Sequence, residues 1–147
     1  MATDFCKLLQ GTWFGQRDSN AMKGEKVTAV WETILDGSFL HERWFTSGGG
    51  KVPQLHAMAY FKVVENKPAD FFVIYRGGKM AIGESALDSD DMLLFHRWVG
   101  PPGGKAEIRL RLVSANEYHQ EVFEANADGL LIPISKSVLV RQFERIA

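Results

Sequence analysis

Glu32, His41 and Arg43 lie close together in the chain, either side of one turn signal, with spacing that places all three on the same side of a hairpin. A carboxylate, an imidazole and a guanidinium within reach of one another can share a proton and anchor an anion. Tyr60 and Tyr75, on later segments of similar character, add hydroxyl donors. An Arg and a Tyr inside an apolar cavity make a clamp for a carboxylate head group. Glu32, His41, Arg43, Tyr60 and Tyr75 are therefore the candidate ligand-binding residues. No catalytic residue is assigned.

The turn that sets this geometry is Asp36-Gly37. It suits a two-residue type I′ turn, in which both central residues take positive φ. Register follows: Ile34 faces Phe39, Glu32 faces His41 and Val30 faces Arg43 on one side of the ribbon. Thr33 faces Leu40, Trp31 faces Glu42 and Ala29 faces Trp44 on the other. If the first side points inward, its charges need partners, because a lone buried charge is costly. If it points outward, the group is an exposed ion-pair cluster. The side with Ala29, Trp31, Leu40 and Trp44 is an equally good interior, and Glu42 is then the odd buried charge. The sequence leaves both orientations open.

Other chemistries find little support. His41, His56, His96 and His119 are scattered singly over separate segments, so no metal is expected. Ser47-Gly48-Gly49-Gly50-Lys51 lacks the strand-loop-helix context and the spacing of a phosphate loop. No Gly-x-Ser-x-Gly elbow is present. Cys6, the single cysteine, reads as a small buried residue of an N-terminal helix.

The elements that must carry these residues are short and regular. Thr3 or Asp4 can cap a helix running to about Leu9, with Phe5, Leu8 and Leu9 on one face, and Gly11 ends it. Turn signals then follow at Asp18-Ser19-Asn20, Asp36-Gly37, Gly48-Gly49-Gly50, Glu65-Asn66-Lys67-Pro68, Gly77-Gly78, Asp88-Ser89-Asp90-Asp91, Pro101-Pro102-Gly103-Gly104, Ser114-Ala115-Asn116 and Asn126-Ala127-Asp128-Gly129. The runs between them are rich in Val, Ile, Phe, Tyr and Trp and leave no room for a crossover helix. The spacing predicts an all-β, antiparallel up-and-down barrel of about ten strands with a short N-terminal helix, in one domain over residues 1–147. Around Gly77-Gly78, Phe71, Val73 and Tyr75 are expected to share a face with Met80, Ile82 and Glu84. A hairpin from Met92 to Val113 is expected to put Ala106, Ile108, Leu110 and Leu112 on an apolar face and Glu107, Arg109 and Arg111 in solvent. The last strand is expected to begin after Pro133.

Charge argues against several partners. The chain carries 17 basic and 18 acidic residues, interspersed, for a net charge of −1. No basic stripe tracks a phosphate backbone, and no polybasic cluster or bilayer-length apolar run suggests a membrane. The segment Met1-Ala2-Thr3-Asp4-Phe5 does not read as a secretory signal, and a lone cysteine cannot form an internal disulfide. The expectation is a cytoplasmic protein with no nucleic-acid or membrane partner. Segments apolar on both faces, Phe71-Phe72-Val73-Ile74 and Met92-Leu93-Leu94-Phe95, would be covered in a homodimer.

Gly11-x-Trp13 at the start of the first strand, with Arg141 in the last, resembles the calycins, the lipocalin and fatty-acid-binding-protein barrels. The resemblance implies that Trp13 closes one end of a barrel and that Arg141 packs over its ring, a favourable cation–π contact. Ile34-Leu35-Asp36-Gly37-Ser38-Phe39-Leu40 further resembles a unit of small bacterial lipocalin-like proteins of unknown function. The barrel kind implies a small hydrophobic or amphipathic ligand, with a carboxylate as one candidate head group. One alternative is a non-covalent decarboxylase, isomerase or cyclase, with Glu32 as acid/base, Arg43 as anchor and a Tyr as donor. Another is a haem-binding, nitrobindin-like barrel. In that group a His close to the C-terminus ligates iron, whereas this chain has no His after His119 and offers Ser137, Leu139 and Arg141 instead. No cofactor is therefore expected.

Overall fold

The computed structural model describes residues 5–48, 50–88, 93–98 and 106–143. The proposed cap at Thr3 or Asp4, Met92, and the turn residues Gly49, Ser89-Asp90-Asp91 and Pro101-Pro102-Gly103-Gly104 lie outside them. Helix α1 spans Phe5–Leu9. Ten strands follow among the described residues: β1 Gly11–Ser19, β2 Glu25–Ile34, β3 Phe39–Thr46, β4 Gln54–Val64, β5 Lys67–Tyr75, β6 Met80–Asp88, β7 Leu93–Trp98, β8 Ala106–Ser114, β9 Glu117–Ala125 and β10 Leu131–Arg141. Each pairs antiparallel with its neighbour in sequence, and β1 pairs with both β2 and β10, so the sheet closes into an up-and-down barrel. Closure leaves no free edge.

Asp36 and Gly37 have φ of 56° and 81°, and the predicted pairs Ile34–Phe39, Glu32–His41 and Val30–Arg43 all form. Leu35 joins them with φ of 51°, because Gly37 N–H also donates to Ile34 O, giving two overlapping left-handed turns.

Three expectations change. Phe71, Val73 and Tyr75 do not share a face with Met80, Ile82 and Glu84. Val73 pairs with Ala81 and Phe71 with Gly83, while Ile82 pairs with Phe72. The cause is a three-residue loop: Tyr75 N–H donates to Lys79 O and Gly78 N–H to Tyr75 O, which centres the turn on Gly77 and slips the register by one. Glu107 is not in solvent; it is 3% exposed, with the Arg109 guanidinium 2.8 Å from its carboxylate. The last strand does not wait for Pro133 to pass. It runs from Leu131, with a register shift between Pro133 and Ser135, and a bulge is where a strand tolerates a proline.

One end of the barrel is filled. Phe5, Cys6 and Leu9 of α1 are buried against Trp13, Trp31, Leu40, Tyr118 and Leu139. Trp13 has no exposure and meets Tyr118 edge-on, with ring centroids 4.8 Å apart. Arg141 lies over the Trp13 ring at 4.2 Å and donates to Leu8 O, Gln10 O and Ala115 O. Gly11 has φ of +127°, and a Cβ there would sit 2.7 Å from the Arg141 guanidinium, so the close approach needs a glycine. Arg109 also covers the Phe123 ring at 4.3 Å.

Candidate functional site

Which side of each strand faces inward is settled by β1. Trp13 enters the plug and pairs with Ala29, and Ala29 pairs with Trp44. Alternation then turns Leu40, Glu42 and Trp44 inward and His41, Arg43 and Phe45 outward. The same alternation carries through β4, where Ala57, Ala59 and Phe61 face inward and Tyr60 faces outward. Small residues stand beside large ones on the inner face: Ala29 between Trp13 and Trp44, and Ala59 beside Glu42. That pairing lets wide rings fit inside a narrow barrel.

Glu32, His41, Arg43 and Tyr60 accordingly sit together on the outer wall, away from the interior. His41 Nδ1 is 3.5 Å from the Glu32 carboxylate. Its ring stacks on Tyr60 at 4.5 Å, and Tyr60 stacks on Phe72 at 4.9 Å. The stack continues outward to Phe72, which is 39% exposed. Arg43 Nε and His41 Nε2 are buried atoms without hydrogen-bond partners. Tyr75 faces the other way and lines the interior.

Beyond the plug the interior opens into a cavity of about 630 Å³. Its walls are chiefly apolar, with Trp44, Phe61, Phe71, Val73, Ile108 and Val122 contributing. Polar groups interrupt these walls at several points. Glu42 is the first β3 side chain above the plug, and Gln120 and Ser137 reach in from β9 and β10. Arg17, His56, Arg76 and Glu124 also line the space, with the Arg76-Gly77 turn at its rim.

Glu42 is the group that sequence reasoning named only as a by-product of one orientation. Among the described residues no ion pair holds it, and its Oε2 is buried without a hydrogen-bond partner. Burial pushes its carboxyl from 4.5 up to about 8, so near neutral pH it is held largely as the acid. Tyr75 is pushed up to about 12 by burial and then by the carboxylates of Glu42 and Glu124, which keeps the phenol neutral. Tyr118, just below, is raised further by burial and by Glu42, and its hydroxyl accepts from Trp31 Nε1 at 3.2 Å. His56 is lowered, by burial first and then by Arg17 and Arg76, with Glu25 opposing. Arg17 is 3.8 Å from Glu25, and its Nε has no partner. The arrangement is a largely apolar chamber with neutral donors on its inner wall and cations nearer its open end.

Among the described residues, no cluster of three His, Cys, Asp or Glu side chains is arranged to hold a metal ion. Among them too, no helix is long and apolar enough to cross a membrane.

The sequence matches no protein-family model and no curated relative. Among solved structures the fold is similar to the S-type phycobiliprotein lyase CPES from Guillardia theta, at 12% identity and a TM-score of 0.64, covering 97% of this chain and 93% of that one. It is also similar to Rv2717c from M. tuberculosis, at 15% identity and a TM-score of 0.61, covering 92% and 94%. These neighbours are lipocalin- or calycin-like barrels, so what is shared over nearly the whole chain is the barrel fold.

Proposed function

We propose that this protein binds a small, mainly apolar molecule inside the barrel and belongs with the calycin-type binders. The observation that carries the reading is the cavity itself: about 630 Å³, with chiefly apolar walls that include Trp44, Phe61, Phe71 and Val73. A cavity of that size and lining is typical of small-molecule sites. The Gly11–Trp13–Arg141 plug supports the calycin assignment, and a phycobiliprotein lyase shares the barrel fold. In this reading Tyr75 and Glu42 contact the ligand, while Glu32, His41, Arg43 and Tyr60 act at the outer surface.

Titration with N-phenyl-1-naphthylamine, a neutral apolar fluorophore, tests it. Saturable uptake of one equivalent is expected. Ala81, which lines the cavity opposite Val73 on the neighbouring strand, supplies the control. Ala81→Phe fills the space and abolishes uptake while the far-ultraviolet circular dichroism stays unchanged. Absence of saturable uptake by the wild type sinks the proposal.

A second reading, non-covalent catalysis in the same cavity, is favoured by one observation. Glu42 is an unpartnered acid that changes charge near neutral pH beside the neutral phenol of Tyr75, as a general acid must. Mass spectrometry of ligand extracted after prolonged incubation separates the two: a binder returns its ligand unchanged.

A further inference from the structure

We infer that Glu42 is the recognition group of the cavity, and that it donates a hydrogen bond to the carbonyl oxygen of an uncharged, mainly apolar ligand. This rests on the cavity-binding reading and names the class of molecule it takes.

The argument starts from position. The register puts Glu42 inward between Trp31 of β2 and Ala59 of β4. Trp31 cannot satisfy it, because its indole N–H is already given to Tyr118. Ala59 has no polar side-chain atom to offer. Glu42 Oε2 is therefore buried without a partner, while the residue as a whole is only half-buried and lines the open cavity. A buried polar group left unpaired costs about 1–3 kcal/mol, and a ligand atom that pairs with it recovers that cost.

The kind of atom follows from the charges facing Glu42 across the cavity. From β5 comes Tyr75 and from β9 come Tyr118, Gln120 and Glu124. From β10 come Ser135 and Ser137, from β1 Arg17, from β4 His56, and from the β5–β6 turn Arg76 and Lys79. Arg17 is already engaged with Glu25, and no cation forms an ion pair with Glu42 among the described residues. Its carboxyl, lifted by burial, stays protonated below about pH 8. A protonated carboxyl among apolar rings donates one hydrogen bond and repels little. A ligand carboxylate placed there would lose its hydration and gain a single neutral donor, which does not compensate. A carbonyl loses less and gains the same bond. The cations lie toward the open end instead: Arg17 stands near the end of β1 away from the plug, Arg76 is bonded to Gln54 and Leu55 at the start of β4, and Lys79 closes the β5–β6 turn.

The test uses 6-propionyl-2-dimethylaminonaphthalene, a neutral fluorophore whose emission moves to the red when its ketone accepts a hydrogen bond. It is titrated into the wild type, Glu42→Gln and Glu42→Leu at about pH 6 and about pH 9.5, on either side of the carboxyl's titration. The wild type is expected to bind at the lower pH with red-shifted emission and to lose about tenfold in affinity at the higher pH, as the donor proton leaves. Glu42→Gln, which keeps an N–H donor that does not titrate, keeps the red shift at both pH values. Glu42→Leu binds without the shift. Saturable uptake of N-phenyl-1-naphthylamine by each of the three proteins, at whatever affinity, shows that the cavity is intact. Wild-type emission identical to that of Glu42→Leu, or tighter binding at the higher pH, overturns the role of Glu42 and leaves the cavity reading standing. Failure of the wild type to take up either fluorophore overturns both.

Discussion

The two ends of the barrel are built by the same strands with opposite economies of polar atoms. At the α1 end, Trp13 Nε1 donates to Leu9 O at 2.9 Å, Trp31 Nε1 donates to Tyr118, and the Arg141 guanidinium reaches three backbone carbonyls while covering a ring. Along the rest of the interior, Glu42 Oε2 and Arg17 Nε find nothing. Buried polar groups in folded proteins are normally paired, so an unpaired one beside a cavity marks a place where another molecule can supply the partner. The difference separates a region selected for holding the chain together from one held open by it.

The comparison breaks first at Trp13. Trp13→Ala removes one of the two largest fully buried side chains of the plug and leaves a void that α1 cannot refill. A loss of about 3–5 kcal/mol is expected by urea denaturation. A loss below about 1 kcal/mol would mean the plug does not stabilise the fold.

Glu42→Leu is expected to act in the other direction. It replaces an unpaired buried carboxyl with an apolar group of similar length, for a gain of about 1–3 kcal/mol near pH 8. The pH dependence fixes the sign. The folded carboxyl titrates near 8 and the unfolded one near 4.5. Between those values the folded chain holds a proton that the unfolded chain has released, so this contribution is full below about pH 4.5 and lost as pH rises to about 8. Denaturation midpoints of the wild type should fall across that window relative to Glu42→Leu. Parallel pH profiles for the two proteins would show that the carboxyl is solvated or paired.

The finest comparison uses two phenols. Tyr118→Phe strands the Trp31 N–H in the plug and should cost about 1 kcal/mol. Tyr75→Phe removes a hydroxyl in the cavity and should change stability by less than about 0.5 kcal/mol. Equal costs would erase the distinction between the two ends.

Much of the fold could be read from the chain because its hairpins are local. Asp36-Gly37 set the β2–β3 register correctly, and the count of turn signals matched the ten strands. Gly77-Gly78 misled because two glycines suit a two-residue and a three-residue loop alike, and one residue of slip exchanges the faces of β6. The inner face of β3 was not legible from that strand alone, since Phe39 and Phe45 on one side are as apolar as Leu40 and Trp44 on the other. The signal that decides it lies elsewhere. Trp13 must face inward to meet Arg141, and its partner Ala29 shares a face with Trp44 and therefore with Glu42. Reading it required the β1–β2 register, which the irregular segment at Asn20 to Gly24 does not announce. The unpaired state of Glu42 depends on what β1, β5, β9 and β10 bring across the interior, and no spacing within one strand records that.

The pairing of β1 with β10 also has a kinetic meaning. Every other strand pair is a hairpin that can zip from its own turn, but this seam joins Gln10 to Arg141 across 131 positions. Loop closure over that span must be met before the seam returns any contact energy, so it sets the rate of folding in a chain whose other steps are local. The meander can be largely assembled as an open sheet, with Trp13 and Arg141 apart, before the ring shuts. Indole fluorescence from the plug should thus rise to its native value in the slowest phase of refolding.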